Sequence, residues 1–225
     1  MIQSQWETLF PLHFGSLGQR HAYLALQRPG DPGREALEGF VQRSFKAAHD
    51  ADVQHFLPEM LGLHDRHGDL DAAVGLRLAD TGPLFLEQYL DEPMEAAVSR
   101  LAGAAVTRAA LVEVGNLSSL SAGGARLLII AVTWLLATRG LRWVAFTGTA
   151  SLVNSFHRLG LEPISLGRAE AERLADPDSN WGTYYAQRPQ VFAGDIGNGY
   201  HKLERHGVFH RLGLPALHGE NGNAA

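Results

Sequence analysis

Along the chain, the spacing of apolar side chains changes between the two-residue period of strands and the three- to four-residue period of helices. Alternation or short apolar runs typical of strands occur at 20–26, on both sides of a polar turn within 59–80, at 109–117 and at 141–149. Apolar residues three and four apart predict helices within 33–53, at 92–101 and within 151–161. This order of elements predicts a mixed α/β domain.

The longest apolar run is LLIIAVTWLLAT, about a dozen residues between Arg126 and Arg139. A helix that spans a membrane needs roughly 20 apolar residues, so this run predicts a buried helix over 123–138, ended by Gly140 in a left-handed conformation. The loop before it is rich in glycine, asparagine and serine. Its backbone N–H groups favour either an anion site at Gly123 and Gly124 or a tight connection between strand and helix.

Composition narrows the class of protein. With 225 residues, 45% hydrophobic and 19% charged, the chain predicts one domain over 1–200 and a Gly-, His- and Asn-rich extension over 201–225 that is partly disordered. A net charge of -5 with scattered Lys and Arg argues against a nucleic-acid partner, and the lack of cysteine excludes disulfides and thiolate chemistry. The first residues show no secretion signal, so we expect a cytoplasmic protein without a transmembrane segment.

One polar segment invites a metal interpretation. HDRHGDLD, residues 64–71, contains five His and Asp side chains. Counted from Asp65, however, a calcium loop would need glycine at its sixth position and glutamate at its twelfth, and neither is present. A solvated turn is the better interpretation, and we expect no metal.

Three segments in chain order resemble the N-acetyltransferase (GNAT) superfamily: LHDRHGDLDAAVGLRLAD, VEVGNLSSLSAGGARLL and WVAFTGTASLVNSFHRLGLEP. Within it, VGLRLADTGPLFLEQYLD is similar to the acyl-homoserine-lactone autoinducer synthases. The resemblance implies a GNAT-like α/β (α+β) fold: a mixed, mostly antiparallel sheet with helices on both faces, whose fourth and fifth strands splay apart.

A more specific resemblance is to the thermostable hemolysin family. It is carried by LFLEQYLDEPME, VEVGNLSS, FTGTASLVNSFHRLGLEP and WGTYYAQRPQVFAGDI, and it covers roughly residues 15–200. The family name records lysis, which does not identify a reaction.

The resemblance implies an acyl donor, either acyl-CoA or the acyl-phosphopantetheine of a carrier protein, lying between the splayed strands. The residues that match the donor site are Val114, Gly115, Asn116, Leu117, Gly123, Gly124, Ala125 and Asn154. Leu120 stands where the superfamily has a polar residue. This departure favours an acyl-carrier protein, whose single phosphate needs fewer contacts.

Acyl transfer to an amine also needs a group that removes a proton from the amine. Glu113 is the candidate because a carboxylate inside a buried strand is costly unless it is paired or used; a strand glutamate that faces solvent or a structural arginine is the alternative. Phe156 occupies the superfamily's tyrosine position and cannot donate a proton to the departing thiolate. His157 and Asn154 are nearby substitutes, although His157 also fits an exposed helix residue.

Four residues match the region of the acceptor and the acyl tail: Glu87, Tyr89, Phe156 and Trp181. A polar loop is the competing interpretation for Glu87 and Tyr89, and the aromatic segment NWGTYY favours either a cover over the acyl tail or a homodimer contact. The sequence thus predicts an N-acyltransferase for a small amine acceptor. A membrane-active lytic protein and a non-catalytic acyl-binding module are the alternatives.

Overall fold

The computed structural model describes residues 7–15, 22–176, 180–215 and 217. Its strands are β1 (Leu12–Phe14), β2 (Ala22–Gln27), β3 (Glu59–Asp65), β4 (Leu70–Leu78), β5 (Leu111–Ser119), β6 (Trp143–Gly148), β7 (Ile164–Arg168) and β8 (Gln190–Asp195). Its α-helices are α1 (Arg34–His49), α2 (Met94–Ala102), α3 (Ala122–Thr138), α4 (Ala150–His157), α5 (Ile196–Arg205) and α6 (Val208–Arg211).

All eight strands form one sheet in the order β1-β2-β3-β4-β5-β6-β8-β7. Among the described strands, only β5 and β6 are parallel, since α3 connects them across one face; every other neighbouring pair is antiparallel. The predicted fold class, a mixed and mostly antiparallel sheet with helices on both faces, is therefore confirmed.

The periodicity predicted the middle strands of this sheet and missed the strands at both of its edges. The predicted strands correspond to β2 through β6, and the predicted helices correspond to α1 through α4 with ends shifted by a few residues. Strands β1, β7 and β8 and helices α5 and α6 were not predicted. β1 has three residues, and β7 is a short strand whose Ile164 is 48% exposed, so neither carries the alternation of a half-buried strand.

Each face of the sheet has its own core. Helices α3 and α5 cover one face, where Val112 packs with Leu128 and Leu203. Helices α1 and α2 cover the other face in two smaller clusters. α3 has 17 residues and is mostly buried from Leu128 to Leu136. No helix in the described part of the chain combines the length and apolar character needed to cross a bilayer.

The boundary expected at residue 200 lies inside α5. Beyond it, Leu203, Phe209 and Leu214 are buried in the same core as α3. Trp134 of α3 also donates a hydrogen bond from Nε1 to the carbonyl oxygen of Pro215 at 2.8 Å. Residues 201–215 are thus packed on the domain, while the remainder of the predicted extension, apart from residue 217, lies outside the described residues.

The parallel pair β5–β6 is short, and this positions the site. It spans four residue pairs, from Leu111 with Trp143 to Val114 with Phe146, whereas β5 runs on to Ser119. The register of β4 and β5 shifts at Gly75, beside Asn116, which has a φ of 53°. An irregularity of this kind bends the strand locally. Beyond Val114 the two strands therefore separate. β5 and β6 correspond to the superfamily's fourth and fifth strands, for which the resemblance implied this separation.

Candidate active site

A cavity of about 1370 Å³ occupies the gap between β5 and β6. Because the gap passes through the sheet, residues from both faces line it. On the α3 face these are mainly apolar: Leu128, Ile129, Val132, Leu136, Leu152 and Phe156. On the opposite face they are mainly polar and aromatic: His49, Arg77, Phe85, Gln88, Tyr89, Glu113, Trp181 and Tyr184. The cavity therefore has an apolar end and a polar, aromatic end.

The wall formed by β5 contains the predicted donor-site residues Val114, Gly115, Asn116 and Leu117, all of which line the cavity. β6 offers no pairing partner to β5 beyond Val114, so backbone groups that β5 directs toward β6 face the gap. The Asn116 side chain accepts a hydrogen bond from the backbone N–H of Leu57 and donates one to the carbonyl of His55, both at 3.0 Å. The Asn116 side chain therefore holds β5 against the 55–57 segment. The backbone groups of β5 that face the gap remain available to bind a ligand.

The start of α3 differs from an open phosphate site. The Gly124 N–H donates to the Ser121 hydroxyl at 2.9 Å, and a Cβ added to Gly124 would overlap the Asp71 carboxylate. Ala125 lines the cavity, whereas Gly123 and Gly124 do not. A half-buried aspartate already complements the positive end of the helix, which leaves less room for the charge of a pyrophosphate. Leu120, at the cavity rim, is 72% exposed.

Glu113 is 3% exposed and lines the polar end of the cavity. Its Oε2 accepts a hydrogen bond from the Phe85 N–H and its Oε1 accepts one from the Leu86 N–H, each at 2.9 Å. Both donors belong to the first turn of the short 3-10 helix Phe85–Tyr89, where N–H groups have no partner within the helix and favour an anion. Each carboxylate oxygen retains a second acceptor position.

Burial raises the pKa of Glu113 above its ordinary 4.5, against the lowering effect of the two backbone N–H donors and of nearby Arg77. The folded protein then holds this proton more tightly than the unfolded chain does. Relative to Glu113→Gln, the wild type should therefore lose stability as pH rises from about 4.5 through the raised pKa. Urea unfolding of both proteins across the mildly acidic range measures this, and a pH-independent difference in unfolding free energy would contradict it.

The aromatic residues of the polar end form a connected cluster. The rings of Phe85 and Trp181 lie 6.2 Å apart, and those of Trp181 and Tyr184 lie 5.8 Å apart. The Tyr89 and Tyr185 hydroxyls are 2.5 Å apart, and burial raises the pKa of both. Tyr89 and Trp181, both predicted from the resemblance, line this cavity. Trp181 and Tyr184 of the NWGTYY segment thus form part of the wall at the polar end.

Glu87 is placed elsewhere, although it was predicted beside Tyr89. Its carboxylate accepts hydrogen bonds from the N–H groups of Leu84 and Met94 and pairs with Arg108 at 2.6 Å, outside the cavity. Arg108 also pairs with Glu95 at 2.7 Å. The Glu87 carboxylate therefore holds the 85–89 helix to Arg108 and to the start of α2, and it does not line the cavity.

Three of the predicted site residues lie on α4, and one of them lines the cavity. Phe156 lines the cavity and stacks on Phe146 with ring centroids 4.9 Å apart. His157 and Asn154 are exposed on the other side of the helix and do not line the cavity. The described residues also contain no cluster of three His, Asp or Glu side chains that could hold a metal ion.

Sequence reasoning missed Arg77 and Phe85, and it indicated Tyr184 only as part of the aromatic segment NWGTYY. Arg77 lies opposite Glu113 in the β4–β5 register, so both side chains project from the same face. Counting alternation along both strands could have found it once the register of β4 and β5 was known. Phe85 begins a short 3-10 helix and Tyr184 lies in a turn, where no periodicity marks a cavity wall.

The aromatic segment 180–185 is anchored to the end of α1 by a close approach of two backbones. Gly182 has a φ of 51°, and a Cβ there would overlap the backbone of His49 and Asp50. Gly182→Ala should therefore cost at least about 2 kcal/mol of unfolding free energy. Gly103→Ala is the matched control, since Gly103 has a φ of 63° with open space around it. Equal destabilisation of both variants in chemical denaturation would show that the close approach contributes nothing.

Comparison with known proteins gives one family and one fold. A family model described as thermostable hemolysin matches residues 27–200. FeeM, an N-acyl amino acid synthase from uncultured soil microbes, has a TM-score of 0.56 at 15% identity, covering 85% of this chain and 100% of FeeM. BjaI, a CoA-dependent acyl-homoserine lactone synthase solved with SAM and isopentyl-CoA, has a TM-score of 0.54 at 14% identity over 87% and 91%.

The acyl-homoserine-lactone synthase LasI gives a TM-score of 0.52 at 13% identity, covering 78% of this chain and 90% of LasI. No curated protein sequence matches the chain. At these identities the likeness establishes the fold. The predicted resemblance to the GNAT-like autoinducer synthases is confirmed at that level.

Proposed function

The chain belongs to the thermostable hemolysin family, and from that premise we propose that it is an N-acyltransferase that moves a fatty acyl group from a thioester donor to an amine acceptor. The observation that supports this most strongly is the cavity through the sheet, which joins an apolar end to a buried carboxylate. The solved structures of similar fold carry the names of acyl-homoserine lactone synthases and an N-acyl amino acid synthase, which agrees with the proposal.

The acyl chain occupies the apolar end, against α3 and Phe156. The pantetheine arm lies along β5 from Val114 to Leu117, where backbone groups face the gap. This arrangement places the thioester carbonyl near the split between the strands, within reach of an amine that enters from the side of Glu113. The Phe146 and Phe156 rings pack beside the acyl chain and exclude water.

In the transfer step, the ammonium form of the acceptor gives a proton to Glu113, directly or through a water molecule. The amine nitrogen attacks the thioester carbonyl, the C–N bond forms and the C–S bond breaks. The products are an amide, a free thiol and one proton released to solvent. Because a thiolate is a good leaving group, the step needs no acid at Phe156, and the exposed His157 and Asn154 take no part in it.

The donor that fits best is an acyl-carrier protein. Asp71 beside the start of α3 and the apolar, exposed Leu120 at the rim both disfavour the extra phosphates of coenzyme A. Carrier-protein docking can supply the affinity that a single phosphate lacks. The product is a lipid with a polar head, so a surfactant product would account for the family name without insertion of the protein into a membrane.

The test is incubation of pure protein with an acyl-carrier protein thioester or with acyl-CoA, each with a pool of amines, followed by mass spectrometry of amides. We expect an amide from the carrier-protein donor at a higher rate than from acyl-CoA. Absence of any amide and of thioester binding with both donors would refute the proposal. Leakage of dye-loaded liposomes by the protein alone, without donor, would instead favour direct lysis.

A further inference from the structure

The charged side chains around the polar end of the cavity indicate the chemical class of the amine acceptor. Of the arginines in the described part of the chain, only Arg77 lines the cavity, and it is half-buried. No carboxylate of the described residues lies within 4.0 Å of its guanidinium nitrogens. Its Nη1 donates to the carbonyl oxygen of Pro83 at 3.0 Å. A guanidinium has five N–H donors, so most of them remain for a ligand.

The position of Arg77 relative to Glu113 is fixed by the sheet. The two residues are direct partners in the antiparallel β4–β5 pair, and directly opposed side chains project from the same face. The Pro83–Leu86 segment lies over them, bonded at one end by Arg77 and at the other by Glu113. A ligand in this end of the cavity therefore meets a cation and an anion held side by side by the same strand pair.

A second observation concerns the aromatic wall. Trp181 lines the same cavity. Phe85 and Tyr184 pack around it and leave an aromatic, apolar surface. This end thus has room for an apolar or aromatic side chain.

On the proposed function, we infer that the acceptor is an α-amino acid with an apolar or aromatic side chain, whose carboxylate pairs with Arg77 and whose amine faces Glu113. A guanidinium binds a carboxylate through two parallel hydrogen bonds, a geometry that a simple amine cannot use. The acceptor's side chain lies against Phe85, Trp181 and Tyr184. A simple amine fills the amine and side-chain positions but leaves Arg77 without an anion.

The experiment compares two acceptor pairs that differ only by the carboxylate: L-leucine with 3-methylbutylamine, and L-phenylalanine with phenethylamine. With a fixed thioester donor, the wild type should show kcat/KM for each amino acid about 10- to 100-fold above its amine. Arg77→Met should reduce this ratio to near one, chiefly by raising KM for the amino acid. Because both members of a pair use the same site, the ratio corrects for any shift of the 83–86 segment that Arg77→Met causes.

Arg43→Met is the control, since Arg43 is exposed on α1 and does not line the cavity; its ratio should equal that of the wild type. Equal acylation of amino acid and amine by the wild type, or an unchanged ratio in Arg77→Met, overturns the inference while acyl transfer itself stands. Acylation of neither member of either pair, when other amines are acylated, also overturns it. Failure with every amine and donor refutes the proposed function instead.

Discussion

Glu113→Gln should lower the turnover of acyl transfer by about 10²–10⁴-fold, because an amide cannot accept the proton of the attacking amine. The change keeps the size of the side chain and one acceptor for the backbone N–H groups of Phe85 and Leu86. Donor binding should therefore change little, since the donor occupies the β5 wall and the apolar end. Single-turnover kinetics with the thioester, together with equilibrium binding of the donor, separate the two effects.

The same change also removes part of a structural interaction, so a matched control is needed. Glu59 is another buried strand glutamate, 8% exposed, and pairs with Arg28 and Arg139 at 2.9 and 2.7 Å. It does not line the cavity. Glu59→Gln should lower stability without lowering turnover per folded molecule. If Glu113→Gln and Glu59→Gln reduced turnover equally, or if Glu113→Gln left it intact, Glu113 would have only a structural role.

Ile129→Trp should shorten the acyl chain that the protein transfers. Ile129 lines the apolar end of the cavity on α3, and a larger ring there fills space that the distal methylenes of the chain need. Each buried methylene contributes about 0.8 kcal/mol, so exclusion of five of them should lower kcat/KM for a long chain by about 10³-fold. Transfer of a four-carbon acyl group should stay within about threefold of wild type, because its chain ends short of the ring.

Leu127→Trp provides the control for packing. Leu127 lies on the same helix and is partly buried against the core, but it does not line the cavity. It should lower stability through overpacking and leave the chain-length profile unchanged. A profile from C4 to C16 donors measures the difference. Identical profiles for wild type and Ile129→Trp would show that the acyl chain lies elsewhere.

The sequence alone predicted the elements whose periodicity reflects burial. β5 and α3 were evident because Leu111, Val112 and Val114 mark the start of the strand and apolar residues fill the helix. β8 escaped notice because it follows a long polar stretch of sequence and passes directly into α5, although Val191 and Ala193 are fully buried. The C-terminal part up to Pro215 looked polar, yet a few apolar residues spaced along α5 and α6 are enough to anchor it.

The site was partly predictable for a similar reason. The burial of Glu113 follows from its neighbours in the strand, but its hydrogen-bond donors are 27 and 28 residues away, in the short 3-10 helix 85–89. Whether Gly124 is open to an anion depends on Asp71, which is distant in sequence. Single-sequence patterns report local burial well, whereas they carry no information on which distant loop closes over a strand.

The separation of β5 from β6 also affects how the protein is held together. β1 to β5 form one block and β6, β8 and β7 form another, and within the sheet the blocks meet at four residue pairs. A molecule bound in the gap would contact both blocks and add buried apolar surface between them. The substrate thereby becomes part of the core, and the cooperativity between the two halves of the molecule depends on whether the gap is filled.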